Sequence, residues 1–68
     1  MKTITREEAL RIYEEISLNG ELVVVVAGRV KTIRYNYDSF TYDFKFIDNK
    51  LKKIEAFNHR ELIENLVQ

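Results

Sequence analysis

A run of six apolar residues at positions 22–27 constrains the fold of this chain more than any other feature. The four consecutive valines in this run favour a β-strand, and a strand that is apolar at every position places apolar side chains on both faces of its sheet. Both faces then have to be covered. In a chain of 68 residues, one helix can cover one face, and the other face needs a second helix or a second molecule.

The length and composition describe one small domain, residues 1–68, with few means of stabilising itself. A chain of this size buries only about 60% of the surface that its unfolded form exposes. Small domains therefore recruit disulfides, a metal ion or a second chain. The sequence has no cysteine and one histidine, His59, so it offers neither a disulfide nor a set of zinc ligands. Oligomerisation remains, and the balance of eleven basic and eleven acidic residues removes a charge repulsion that would oppose it.

The sequence also predicts where the protein resides. Its first residues, MKTITR, lack the apolar core of a signal peptide. The longest apolar run is far shorter than the roughly 20 residues that span a bilayer. The absence of cysteine fits a reducing compartment. We therefore expect a cytoplasmic protein without a membrane partner.

The N-terminal part predicts a helix over residues 6–18. Thr5 followed by Glu8 forms a capping box, and apolar residues recur behind it at helical spacing. Asn19-Gly20 ends the helix, because glycine readily adopts the left-handed conformation that closes a helix end.

Residues 22–57 predict a three-stranded antiparallel meander, because apolar and polar residues alternate there and the apolar ones are β-branched or aromatic. The first strand covers residues 22–37, with a bulge near Lys31-Thr32 that keeps its apolar residues on one face. Alternatively, a tight turn at Ala27-Gly28 divides it into two strands. Asp38-Ser39 and Asp48-Asn49 are the turns that lead into the second strand, residues 40–47, and the third, residues 50–57.

The C-terminal residues predict a second helix. Asn58 and Glu61 have the spacing of a helix cap, and the apolar stripe behind them consists of Leu62, Ile63, Leu66 and Val67. The expected fold is therefore α+β, in the order α-β-β-β-α, with a curved three-stranded antiparallel sheet packed on helices.

Two stretches resemble the last three strands of SnoaL-like proteins, a cone-shaped α+β superfamily that includes polyketide cyclases and the nuclear transport factor. They read VVVAGRV at residues 24–30 and FTYDFKFIDNKLKKI at residues 40–54. The family leads into its final strand through Asp-Gly-Lys-Ile, where this chain has Asp-Asn-Lys-Leu at residues 48–51. The resemblance covers at most residues 22–68. It implies a curved sheet around a helix and frequent dimerisation through the sheet, but no catalytic residue carries over, because the family's pocket-lining N-terminal helices have no counterpart here.

The residues that carry chemistry do not form a catalytic or cofactor motif. His59 stands at the start of the predicted second helix, where a solvent-exposed helix-start residue is the simplest interpretation, and no serine or threonine lies in a nucleophile motif with it. Gly20 and Gly28 stand alone rather than in a phosphate-binding loop. We therefore expect no enzymatic activity, no cofactor and no metal. A SnoaL-like enzyme would need a dimer to close a cavity around the tyrosines.

Charge is unevenly distributed along the chain. Residues 22–53 carry an excess of four positive charges, and the flanking segments are acidic. On the bent-strand model, Arg29, Lys31, Lys45 and Lys53 share the sheet face opposite the aromatic residues and could contact phosphates. A nucleic-acid-binding module is therefore the alternative function, although the aromatic residues alternate onto the buried face and leave no stacking platform.

The valine run gives the main functional hypothesis. A second chain that covers Leu22, Val23 and Val25 would make this a non-enzymatic protein-binding or self-associating domain of the regulator or inhibitor type, with a homo-oligomer or another protein as its partner. Alternatively, the C-terminal helix covers these residues within one molecule.

Overall fold

The computed structural model describes residues 2–68, which form a six-stranded mixed sheet with one helix packed on one face. The elements are β1 (Lys2–Ile4), α1 (Arg6–Asn19), β2 (Glu21–Val26), β3 (Val30–Tyr37), β4 (Phe40–Ile47), β5 (Lys50–Phe57) and β6 (Leu62–Val67). The strands lie in the order β1-β6-β5-β4-β3-β2, with β1 parallel to β6 and all other neighbours antiparallel. The predicted α-β-β-β-α fold with a three-stranded sheet is therefore wrong.

Helix α1 begins where the sequence predicts. The Thr5 hydroxyl accepts a hydrogen bond from the Glu8 backbone N–H at 3.1 Å, so the capping prediction is confirmed. The same hydroxyl donates to the Glu8 carboxylate at 3.1 Å. At the start of α1, Arg6 donates to the backbone carbonyl of Leu51 at 3.1 Å and ties the helix to β5. The cap and this tie fix the direction in which the helix crosses the sheet.

Gly20 ends the helix, but not in the left-handed conformation that was predicted. Its φ of −87° and ψ of 164° are extended, and its N–H donates to the Ile16 carbonyl at 2.7 Å. A Cβ atom at this position would lie 2.7 Å from the Ile16 carbonyl oxygen and 3.0 Å from that of Asn36. Glycine is therefore needed because the helix end approaches the backbone of β3, not because of its φ angle.

Replacing Gly20 by alanine is expected to destabilise the fold by about 1–3 kcal/mol, as overpacking against rigid groups does. Both obstructing atoms belong to the backbone, so no side chain can rotate away. Urea unfolding of Gly20→Ala measures the change. A Gly20→Ala protein with the urea midpoint of the wild type would contradict the close-approach explanation.

The predicted long first strand is instead a hairpin, as the alternative prediction had it. β2 and β3 are separate antiparallel strands joined by residues 27–29. The register between β3 and β4 is continuous from Val30 to Tyr37, so the expected bulge at Lys31-Thr32 is absent from β3. Val24 and Val26 lie on the same side of the sheet as their β3 partners Arg34 and Thr32, whereas Ile33 lies on the side of its β4 partner Phe44. The change in apolar parity is therefore a change of sheet face, and the apolar residues of this segment do not share one face.

The two turns of the central meander lie where the sequence predicts. Asp38 and Ser39 have φ angles of 49° and 68°, and Asp48 and Asn49 have φ angles of 50° and 64°. Positive φ at both central residues is the type I′ pattern, whose twist matches that of the flanking strands. These turns place β4 at the centre of the meander between β3 and β5.

The C-terminal segment is a strand, not a helix, and this corrects the prediction for residues 58–67. The Asn58 side-chain oxygen accepts from the N–H groups of Arg60 and Glu61 at 2.8 and 3.1 Å, and the Asn58 N–H donates to the Glu61 carbonyl at 3.1 Å. The cap-like spacing therefore closes a turn between β5 and β6. An apolar stripe at positions i, i+1, i+4 and i+5 has helical spacing and is divided between the two faces of a strand. Pairing with β5 on one side and β1 on the other overrides that local preference.

The core lies between α1 and the middle of the sheet. Its buried members are Ala9, Ile16, Phe44, Leu51 and Ile54. Phe44 is completely buried, and its ring meets that of Tyr13 edge to face at a centroid distance of 5.0 Å. The aromatic face of β4 is therefore the core face, as the alternation of residues 40–46 predicts. We call this side of the sheet the helix face and the other side the open face.

Candidate protein-interaction edge

Strand β2 forms one edge of the sheet and is exposed along its whole length. All residues from Glu21 to Val26 are exposed, and the side chains of Leu22, Val23, Val24, Val25 and Val26 are between 40% and 55% accessible. An edge strand also presents backbone N–H and C=O groups that no neighbouring strand pairs. Apolar side chains and unpaired backbone groups thus occur together on one side of the molecule.

The register places the exposed residues on both faces. Val25 lies opposite Ile33 and Leu22 opposite Tyr35, both on the helix face, whereas Val24 lies opposite Arg34 on the open face. Val23 is the extra residue at a bulge between Leu22 and Val24. The predicted interface residues Leu22, Val23 and Val25 are thus close together at the edge, and the sequence analysis missed that Val24 and Val26 extend this surface on the open face.

The rest of the described chain leaves β2 uncovered. Helix α1 packs mainly over β3 and β5. The C-terminal segment, which the sequence analysis considered as a cover, is β6 and lies at the other end of the sheet. That intramolecular alternative is therefore wrong.

The opposite edge of the sheet is formed by β1, Lys2–Ile4, which pairs with residues 65–67 of β6, and by residues 62–64 of β6, which no described strand pairs on that side. This edge is divided between two short segments, and short edges are one way in which proteins limit unwanted pairing. Strand β2 offers a longer run of edge residues.

The open face carries an ion-pair network. Arg34 and Asp43 pair through two hydrogen bonds of 2.6 and 2.7 Å. On the next strands, Lys45 contacts Glu55 at 3.0 Å, and Lys53 contacts Glu55 at 3.8 Å and Glu64 at 2.9 Å. The hydrogen bond to Asp43 raises the pKa of the Arg34 guanidinium above its ordinary value. Charges of both signs alternate across this face.

The four basic residues considered as phosphate contacts do not share one face. Lys45 and Lys53 lie opposite each other on the open face, and both pair with carboxylates. Lys31 lies on the helix face, opposite Phe46, with its ammonium 5.8 Å from that ring's centroid. Arg29 lies in the turn between β2 and β3. The geometric premise of the phosphate-binding hypothesis, a single face for all four, is therefore wrong.

The Glu64 carboxyl should titrate below its ordinary pKa. Its hydrogen bond to Lys53 is the main cause of the lowered pKa, and the positive charge of Lys53 adds to it. Because the folded-state pKa is depressed, this pair stabilises the fold above the unfolded pKa of Glu64, and the contribution is lost as the pH falls through the folded pKa. NMR titration of the side-chain carbon should show the depressed value in the wild type.

Lys53→Met is expected to raise the pKa of Glu64 towards its ordinary value, whereas Lys52→Met should leave it almost unchanged. Lys52 is the extra residue at the bulge of β5 and is exposed. If both substitutions shifted the Glu64 titration equally, long-range charge rather than the 2.9 Å contact would be responsible.

The structure also places the single histidine and the surface depressions of the described residues. His59 is exposed in the turn between β5 and β6, rather than at a helix start. Within residues 2–68, no group of three or more His, Cys, Asp or Glu residues is arranged to hold a metal ion. A shallow, open depression surrounds the β3–β4 turn, from Asn36 to Thr41. Over the same residues, no helix has the length and apolar character needed to cross a membrane.

The structure thus defines a small, mostly β domain, a six-stranded mixed sheet with one helix, whose six-residue edge strand β2 is exposed and has no described neighbour on its outer side. Comparison with family models, curated proteins and solved structures found no match. The SnoaL-like resemblance of residues 22–68 therefore stays a prediction.

Proposed function

We propose that this chain is a non-enzymatic, cytoplasmic protein-binding domain that pairs its edge strand β2 with a strand of another polypeptide. One observation carries the proposal: all six residues of β2 are exposed, and five of them are large and apolar. Strand addition to a sheet edge is a common mode of protein recognition, in which main-chain hydrogen bonds provide affinity and side chains provide specificity.

The energetics favour a covered edge. Burying an apolar side chain the size of valine contributes about 1.5–3 kcal/mol when it goes from fully exposed to fully buried. The valines of β2 are about half exposed, so each has roughly half of this amount left to gain. A partner strand would also satisfy the outward backbone groups of β2. An uncovered strand of this composition is an aggregation risk, and Glu21 is its sole charged residue.

The nucleic-acid alternative receives less support. Lys45 and Lys53 are engaged by Glu55 and Glu64, and carboxylates beside them would repel a phosphate backbone. The aromatic rings that could stack on bases are largely packed on the helix face around Phe44. Enzymatic activity of the SnoaL-like type receives no support from the shallow depression at the β3–β4 turn.

A test uses hydrogen exchange of the backbone amides in β2, with a synthetic peptide of residues 21–29 bearing a lysine tail as the partner strand. In excess peptide, we expect the β2 amides that do not donate to β3 to be protected from exchange. The protein variant Val25→Lys should lose this protection, because a lysine on an edge strand disfavours pairing. Thr3→Lys, on the opposite edge, is the matched control and should keep it.

A peptide N-methylated at alternate amides is the second control, because it cannot complete the ladder of hydrogen bonds. The proposal is contradicted if the outward amides of β2 exchange freely in the wild-type protein, with the unmodified peptide in excess. If the outward β2 amides are already protected from exchange without peptide, the protein alone pairs this strand, which supports the proposal.

A further inference from the structure

We infer that the partner strand is β2 of a second copy of this chain, paired antiparallel about a two-fold axis at Val25. In this dimer, residues 24–26 of the two edge strands pair with each other, and Glu21 of each copy lies near Arg29 in the β2–β3 turn of the other. The inference rests on the proposed function, since it names the occupant of the same edge. The two sheets would join into one continuous sheet with both helices on the same side.

Charge selects this arrangement. The edge begins with Glu21 and is followed by Arg29, and all residues between them are uncharged. An antiparallel neighbour of the same sequence places opposite charges together at both ends, whereas a parallel one places Glu21 beside Glu21. The run of valines alone would fix the register only weakly, because every shift by two residues places valine near valine. The terminal charges remove this degeneracy.

The faces of the strand also match in this register. Val25 lies on the helix face, and the axis places it opposite Val25 of the second copy. Val24 and Val26 lie on the open face, opposite Arg34 and Thr32 of β3. In the dimer, Val24 of each copy would lie opposite Val26 of the other copy. Apolar side chains therefore meet on both faces without any side chain changing sides.

The shape of the molecule limits the assembly to two chains. A two-fold interface uses the same patch on both copies and is closed once formed. The remaining edges of such a dimer are short segments, the three residues of β1 and residues 62–64 of β6 in each copy. The net charge of zero imposes no overall repulsion between the copies.

Cysteine substitution tests the two-fold axis, because the chain has no cysteine of its own. Residues directly opposite each other in an antiparallel pair have Cβ atoms about 4.5–5.5 Å apart, close to disulfide geometry. Val25→Cys should therefore form a disulfide-linked dimer under mild oxidation. Thr3→Cys, exposed on the β1 edge, is the control and should remain largely monomeric on a non-reducing gel.

Charge exchange tests the register. Glu21→Arg should weaken the dimer about threefold to tenfold, because it turns two attractive contacts into repulsive ones of the size typical of exposed ion pairs. Arg29→Glu should do the same, and the double exchange Glu21→Arg with Arg29→Glu should restore the wild-type dissociation constant. Each variant is compared by sedimentation equilibrium over a dilution series, after circular dichroism confirms its fold.

The outcomes separate this inference from the proposed function. If the peptide protects β2 but Val25→Cys forms no more disulfide than Thr3→Cys, the edge binds a foreign strand and the two-fold dimer is wrong. If the cysteine links but the charge exchanges are not compensatory, the stated register is wrong. If β2 stays unprotected under all conditions, the proposed function fails as well.

Discussion

Replacing Phe44 by alanine is expected to unfold the protein at room temperature. Phe44 is fully buried, and its ring packs against those of Tyr13, Tyr35 and Tyr42 at centroid distances of 5.0, 6.1 and 6.3 Å. Removing such a ring costs about 3–5 kcal/mol. A single core in a domain of this size seldom supplies more than about 3–5 kcal/mol in total, so the loss consumes most or all of the stability.

The control for this substitution is Phe57→Ala. Phe57 lies on the open face, half-buried, with the Arg34 guanidinium 5.3 Å from its ring centroid. The same chemical change there should leave a folded protein with a reduced urea midpoint. Circular dichroism with urea titration measures both variants. A cooperative transition in Phe44→Ala close to that of the wild type would contradict the position assigned to the core.

Replacing Arg34 by leucine is expected to have the second largest effect. The Asp43 side chain is 7% accessible, and the Arg34 side chain that pairs with it is 39% accessible. Without the guanidinium, the carboxylate would remain buried with no cation on it and with Glu55 opposite it on β5. Breaking a fully buried pair costs about 3–5 kcal/mol. Because Arg34 is partly exposed, we expect about 2–3 kcal/mol from its removal.

The double variant Arg34→Leu with Asp43→Val separates the two parts of this effect. Replacing both partners by apolar residues removes the unpaired charge and is often nearly neutral. The double variant should therefore be more stable than Arg34→Leu alone, as measured by urea unfolding. If the losses in unfolding free energy from the two substitutions simply add, the cost comes mainly from the lost hydrogen bonds of 2.6 and 2.7 Å. The uncompensated carboxylate would then not be the main cause.

Those parts of the fold that local chemistry determines could be predicted from the sequence. The capping pair Thr5 and Glu8 marks the start of α1, and the alternation in residues 40–46 identifies the core face of β4. The dipeptides Asp38-Ser39 and Asp48-Asn49 have the turn preferences that the structure uses. Each of these features depends on a few neighbouring residues.

The parts that depend on long-range pairing could not be predicted in this way. Residues 62–67 have an apolar pattern with helical spacing, and what overrides it is pairing with β5 on one side and with β1 on the other. β1 itself has three residues and no internal pattern that identifies it as a strand. Pairing partners that lie far apart in the sequence leave no local periodicity of their own.

The candidate interaction edge was only partly predictable. Composition predicted that residues 22–26 are apolar on both faces, and the structure exposes them, but the bent-strand interpretation placed the valines in one strand with residues 30–37 rather than in a separate edge strand. The basic cluster failed because β3 has no bulge at Lys31-Thr32, so Lys31 keeps the alternation of Ile33 and lies on the helix face, whereas Lys45 lies on the open face.

The mass of the wild-type protein in solution tests the central claim most directly, because the claim is that a second copy covers the valine strand. Size-exclusion chromatography with light scattering, over a range of concentrations, should give about twice the 8.1 kDa of one chain. Val25→Lys should shift the equilibrium towards a folded single chain. A wild-type protein that keeps the mass of one chain at the highest concentration, while remaining folded and in solution, would contradict the two-fold dimer.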